Sequence, residues 1–169
     1  MAEPGKTEQI DFTDGYSATV DSCDLAILIG HNWYLATSRL RSGKVRIVGA
    51  RSTINGRLVL MHRFIMGVTD PRILVDHQDH NTLNNRRLNL RICGHSQNQA
   101  NRLIPVTNTS GYKGVRLTDE GRWMAFIKTK GKQRSLGTFL NKHTAALAYN
   151  DAAREIFGEF ALLNEVKNA

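Results

Sequence analysis

Cysteine is scarce in this chain, and that scarcity excludes whole classes of protein. Only Cys23 and Cys93 occur among 169 residues, too few for a disulfide framework, and neither sits in a C-x-x-C pair suited to zinc. Both are read as structural thiols. No uninterrupted apolar run approaches the roughly 20 residues needed to cross a bilayer, and the longest candidate, LAILIG, falls far short. The opening MAEPGKTEQIDF is acidic and polar. It lacks the basic start and apolar stretch of a secretory signal, so a cytoplasmic setting with no membrane partner is expected. Internal repeats and low-complexity segments are also missing.

What is present is segregated charge. The net charge is +8 and the pI about 9.9, but residues 1 to 25 hold six acids against Lys6 alone. Residues 86 to 134 hold eleven bases against Asp119 and Glu120. Solubility does not require such segregation, whereas a concentrated basic region with interleaved aromatics is the electrostatic footprint of a protein that meets a phosphate backbone. The length allows one domain or two small ones.

Punctuation divides the chain further. LAILI, NWYLATS, KVRIVGARS and RLVLMHRFIM are short, partly alternating apolar runs that read as several strands. Asn55-Gly56 marks a hairpin turn, and MHRFIM reads as a short helix stopped by Gly67. In LNLRICGHSQNQANRL the second half is expected to be helical. IPVTNTS, residues 104–110, has the composition of a linker. Beyond it, YKGVRL, RWMAFIKT and RSLGTF predict three strands, and HTAALAYNDAAREIF predicts an amphipathic helix with Ala145, Ala148, Tyr149, Ala152 and Ile156 on one face, ended by Gly158. The expected fold class is α+β.

The loop VDHQDHNTLNN, residues 75–85, concentrates groups that bind metals and move protons. Asp76 beside His77 sets a hard carboxylate ligand next to an imidazole that titrates near neutrality, a pairing able to hold a divalent cation and deprotonate water. On a strand the two side chains point to opposite faces, so the loop must bend the chain for both to act together. Asn89 suits a bracing role through side-chain to backbone hydrogen bonds, and Asn98 offers an amide oxygen from the following helix. A solvated loop with capping asparagines accounts for the same residues equally well.

HRFIM, VDHQDHNTLNNRRLNLR and SQNQANR, in that order, resemble the HNH endonuclease family over roughly residues 15–103. The resemblance implies a ββα-metal fold, with His77 as general base, Asp76 and Asn98 as metal ligands, and Asn89 fixing the loop. It also implies one divalent metal, magnesium or manganese. His80 stands where the family often has glycine and is read as a spare surface imidazole; His62 is read as packing or hydrogen bonding, and His95 as capping or a phosphate contact.

A second resemblance covers residues 108–165. SGYKGVR, GRW, LGTF, AALAYNDAA and GEFALLN look like the DNA-binding domain of plant ethylene-response factors, which lays a three-stranded sheet into the major groove with a helix packed behind. Carried over by position, its DNA contacts fall on Lys113, Gly114, Arg116 and Lys128. Other contact positions of the plant domains fall on Thr118, Phe126 and Ser135, so the plant sequence preference is not expected. Trp123 is out of phase with Arg122 and Lys128 and is expected in the core.

Together these imply an HNH nuclease domain with a β-rich start at 1–103, a linker at 104–109, and a three-stranded antiparallel sheet packed on one helix at 110–169. The implied activity is a homing-type nickase acting on double-stranded DNA as monomer or homodimer. A non-catalytic DNA-binding regulator that retains the scaffold is the alternative from another class. RNA is disfavoured because the deep A-form groove would not admit the sheet.

Overall fold

Period-two alternation drives the first elements: in SATVD only Ala18 and Val20 are fully buried, and the residues between them are not. The computed structural model describes residues 5–40 and 42–166, so Glu3 of the acidic start lies outside the described residues. The chain is α+β, built from small antiparallel sheets and few helices, in two units, Met1–Cys93 and Gly94–Ala169.

In the first unit, β1 (Thr7–Asp11) pairs with β2 (Ser17–Asp21), and β3 (Tyr34–Arg39), β4 (Val45–Ile54) and β5 (Arg57–Leu60) form a three-stranded sheet in that order. Asn55 and Gly56 make the β4–β5 turn, both at positive φ, as their dipeptide predicts. β6 (Leu74–His77) pairs with β7 (Leu90–Cys93). Phe12, Ala18, Val20, Leu28, Trp33, Ala50, Met61, Ile65 and Leu90 form the core. The short helix α2 (Met61–Ile65) contributes Met61 and Ile65 to it, and Gly67, at φ 65°, turns the chain away.

LAILI does not form the expected strand. Leu25–Leu28 is a single helical turn, α1, entered from a 3-10 turn at Ser22–Asp24. Only Leu28 reaches the core, while Ile27 and Ile29 face solvent. One turn is too short for a helical period to show in the sequence.

In the second unit, β8 (Val115–Leu117), β9 (Trp123–Thr129) and β10 (Lys132–Phe139) form the expected three-stranded antiparallel sheet, with β9 central. Helix α4 (Lys142–Phe157) lies on it, capped by Asn141, whose side chain accepts from the His143 N–H at 2.7 Å. The α4 face is mostly alanine: Ala145, Ala146, Ala152 and Ala153 are buried with Tyr149 and Phe157. Small side chains bring the helix axis close to the sheet, so the buried face sits one residue round from the one expected, and Ile156 falls at its edge. Trp123 packs against the inner cluster of Val115, Ala125, Ala145 and Ala146, as its phase predicts.

The division between the two units falls between Cys93 and Gly94, and helix α3 (His95–Asn101) buries Ala100 in a cluster with Ile127, Tyr149, Ala152 and Phe157.

Gly114 shows how tightly α4 is seated. It has φ +69°, and an added Cβ would stand 2.5 Å from the Phe126 carbonyl oxygen and overlap the Tyr149 ring. Gly114→Ala is therefore expected to destabilise the second unit by about 2–4 kcal/mol, read by urea unfolding at 25 °C; a loss below about 0.5 kcal/mol, the range of ordinary surface substitutions, would contradict this packing.

Candidate functional site

The turn joining β6 to β7 closes on asparagine side chains. The Asn89 amide donates to Asp79 Oδ1 at 2.9 Å and to the Asn84 carbonyl at 2.7 Å, and its oxygen accepts from the Asp79 N–H at 3.0 Å. Asp79 also receives the Asn81 N–H and the Asn84 amide. Partial burial acts to raise the Asp79 pKa, but the Asn84, Asn81 and Asn89 donors outweigh it and hold the carboxyl below its ordinary value. The loop is then docked on β2: Thr19 N–H donates to the Leu83 carbonyl at 2.9 Å, and Asn85 N–H to the Thr19 carbonyl at 2.7 Å.

His77 ends β6 and is buried. Its Nε2 lies 3.4 Å from Asn85 Oδ1, and the Asn85 amide is turned to donate to the Leu83 carbonyl. With the oxygen of Asn85 facing the ring, the proton belongs on Nε2 and the lone pair on Nδ1. Burial pulls His77 below the ordinary imidazole value, against upward pulls from Asn85, Asp79 and Asp76, so the ring is neutral at pH 7. The His62 ring stands edge-on to it with centroids 4.9 Å apart. His62 is itself buried and its Nδ1 has no hydrogen-bond partner among the described residues. Burial, then the neighbouring His77 and Arg63, push its pKa down to about 3.

Asp76 lies across the ladder from Arg91, whose guanidinium donates to Asp76 Oδ2 at 3.0 Å, with both side chains nearly buried. Strand geometry puts Asp76 and His77 on opposite faces of β6. Asn98 lies on α3 in the second unit and is half-buried. Among the described residues no three His, Cys, Asp or Glu side chains converge as a metal cluster. Asp76 and Asn98 are each hard oxygen donors of the kind magnesium takes, so the donor chemistry fits such an ion. His80 adopts φ +64°, the left-handed conformation in which glycine is at ease.

On the second unit's sheet, Arg116, Met124, Phe126 and Lys128 alternate with the buried Val115, Ala125 and Ile127 and so share the outward face. The Arg116 guanidinium sits 5.9 Å from the centroid of the Phe126 ring. Gln133 and Ser135 lie opposite Lys128 and Phe126 and complete that face. Gly114 packs under Tyr149. Lys113 is mostly buried: its ammonium donates to the carbonyls of Ala100 and Arg102, the latter at 2.6 Å, and burial followed by Arg102 lowers its pKa to about 8. His95 opens α3 and is exposed.

Four contributors escape a sequence reading. Asn85, fully buried, holds His77; Arg91 pairs with Asp76; and Asp21 and Asp24 anchor Arg86 and Arg87. The asparagine run NTLNN carried a signal for the first. Nothing local could signal the ion pairs of Arg86 and Arg87, whose partners are more than sixty residues away.

No protein-family model matches the chain, and no solved structure matches it. Over 111 residues it is 37% identical to the "Uncharacterized HNH endonuclease L560" of Acanthamoeba polyphaga mimivirus, a match that takes in 63% of the chain and 57% of that protein. It is 34% identical over 88 residues to Protein 3.8 of Escherichia phage T7, covering 52% of the chain and 72% of the phage protein. The chain belongs to the family of Protein 3.8. This member of the Protein 3.8 family is also 47% identical over 62 residues to "Dehydration-responsive element-binding protein 2D" of Arabidopsis thaliana, but spans only 30% of that plant protein's length. Among the described residues no helix is long and apolar enough to cross a membrane.

His62 gives the site a pH signature. Its folded-state pKa lies below the unfolded value, so it adds stability above about pH 6.5 that is lost as pH falls towards its folded value of about 3. Unfolding of the wild type and of His62→Phe, compared from pH 7 to 4.5, should show the wild type losing on the order of 2 kcal/mol more than the variant. A difference that stays constant with pH would contradict the buried neutral imidazole.

Proposed function

We propose that the chain is a metal-dependent DNA endonuclease, a site-specific nickase of homing type acting on double-stranded DNA. The observation that carries this reading is a buried, neutral His77, held at Nε2 by Asn85 and backed by His62, beside Asp76 in a loop closed by Asn89. The name of the mimiviral relative supports the same class.

In this reading His77 takes the proton of the attacking water, and Asn85 keeps the ring oriented through its contact with Nε2. Asp76 and Asn98 would hold magnesium, or manganese, as oxygen ligands. When bound, such an ion polarises the scissile phosphate and neutralises charge on the leaving 3′ oxygen. Asn89 acts on the chemistry by fixing the loop that presents His77. Arg91 keeps the Asp76 carboxylate oriented. The exposed Arg116 and Lys128 on the second unit's sheet supply duplex affinity through phosphate and base-edge contacts. One constellation per chain suits a monomer that cuts one strand; cutting both strands requires a homodimer or a second encounter.

One observation favours the reading as a non-catalytic DNA-binding regulator: the Asp76 carboxylate already has a cation, Arg91, against it. A supercoiled-plasmid assay with candidate target DNA separates the two. Magnesium-dependent conversion to open circle is expected, abolished by EDTA and reduced by about 100-fold or more in His77→Ala, with gel-shift binding retained. Linear product would indicate paired sites. Tight binding with no change in the DNA, whatever the metal, would establish the regulator.

A further inference from the structure

Helix α3 has seven residues, a length at which an isolated helix does not hold in water. Its stability must come from what grips it. At the N-terminal end Gln97 Oε1 accepts from the Gly94 N–H at 2.8 Å, the reach-back half of a capping box, and Ser96 Oγ accepts from the Lys130 N–H at 3.2 Å. In its last turn, Ala100 is buried against Ile127, Tyr149 and Phe157, and its carbonyl accepts from the Leu162 N–H.

The C-terminal end is where a helix leaves carbonyls without intrahelical partners. Here the Gln99 carbonyl accepts from the Arg102 N–H and the Ala100 carbonyl from the Leu162 N–H, and Lys113 adds a charged donor to both. Its Nζ donates to the carbonyls of Gln99, Ala100 and Arg102, and an ammonium has three protons to give. A cation at a helix C-terminus also meets the negative end of the macrodipole.

The root of Lys113 is equally constrained. Its N–H donates to Asn164 Oδ1 at 2.6 Å, and the Asn164 amide donates back to its carbonyl at 3.0 Å. Asn164 is in turn locked to Asn150 of α4 by a reciprocal pair of 2.7 and 2.9 Å, with both asparagines buried. Lys113 thus ties together the end of α3, the entry to β8 and the tail that follows α4. A side chain with its backbone pinned and its protons committed is poorly placed to reach out to a phosphate.

We propose that Lys113 is a positioning residue, whose ammonium caps α3 and fixes the helix carrying Asn98 to the sheet unit. The part of the chain that resembles a DNA-binding domain then serves cleavage as well as affinity. The consequence for cleavage rests on the nuclease reading above; the clamp itself does not.

The test uses the full-length chain and three variants: Lys113→Met, which keeps the stem and removes the cation; Lys113→Arg, which restores a cation; and Arg116→Ala, a sheet-face control. Three quantities are read: duplex affinity by gel shift in EDTA, hydrogen exchange of peptides covering residues 95–104, and single-turnover nicking at saturating protein with magnesium. For Lys113→Met, exchange in 95–104 is expected to quicken by about 10-fold or more, with affinity within about 3-fold of wild type and the saturated nicking rate down about 10-fold. Lys113→Arg should recover much of the protection and rate, which separates loss of the cap from general unfolding. Arg116→Ala should lose affinity and leave exchange in 95–104 unchanged. Unchanged exchange in Lys113→Met with an affinity loss like that of Arg116→Ala would overturn the proposal and make Lys113 a phosphate contact. If the wild type nicks no DNA, the nuclease reading fails, while exchange still decides for or against the clamp.

Discussion

The Asn89 side chain is the constraint on which the first unit's site depends. Its amide uses both donors and its oxygen to close the turn between β6 and β7, and its backbone carbonyl accepts from the Gln78 N–H. A turn this long and this polar has no apolar core of its own, so without these bonds its backbone groups would turn to water and the loop would open. Only while it is closed can Asn85 reach back to β2 and hold His77. The buried His77 imidazole, with Nε2 facing Asn85, is thus held by a loop that asparagine side chains close.

Charge is used for anchoring in the same unit. Asp21 and Asp24 of the acidic start pair with Arg86 and Arg87, the first bases of the basic stretch. Asp24 is almost wholly buried and its contact with Arg87 is 2.7 Å, whereas the Arg87 side chain is 49% exposed. Such a half-exposed pair contributes less to stability than a fully buried one, yet removing Arg87 would leave Asp24 buried without its partner. These pairs fix where the loop sits.

Much of the architecture was legible because it follows local rules. Asn55-Gly56, the Gly67 stop, the alternation in RWMAFIKT and the alanine-rich helix each act over a few residues, and each appears as those rules require. What escaped was decided over long range. LAILI became a helical turn through its packing. In the site, His77, Asp76 and Asn89 stood out by chemistry and spacing. Asn85 did not, because its importance comes from the docking of the loop on β2. Lys113 could be matched by position to a DNA contact, but a sequence does not reveal the three carbonyls that surround its ammonium.

The central claim is that His77 generates the nucleophile and that the bond to the 3′ oxygen is the one broken. The direct measurement is the chemistry of the ends: plasmid nicked by the protein in magnesium is incubated with DNA ligase. Attack by activated water with a 3′ oxygen leaving gives 5′-phosphate and 3′-hydroxyl ends, so the account predicts that ligase restores the closed circle without prior end repair. Nicks that ligase cannot seal, or that persist in His77→Ala at the wild-type rate, would contradict it.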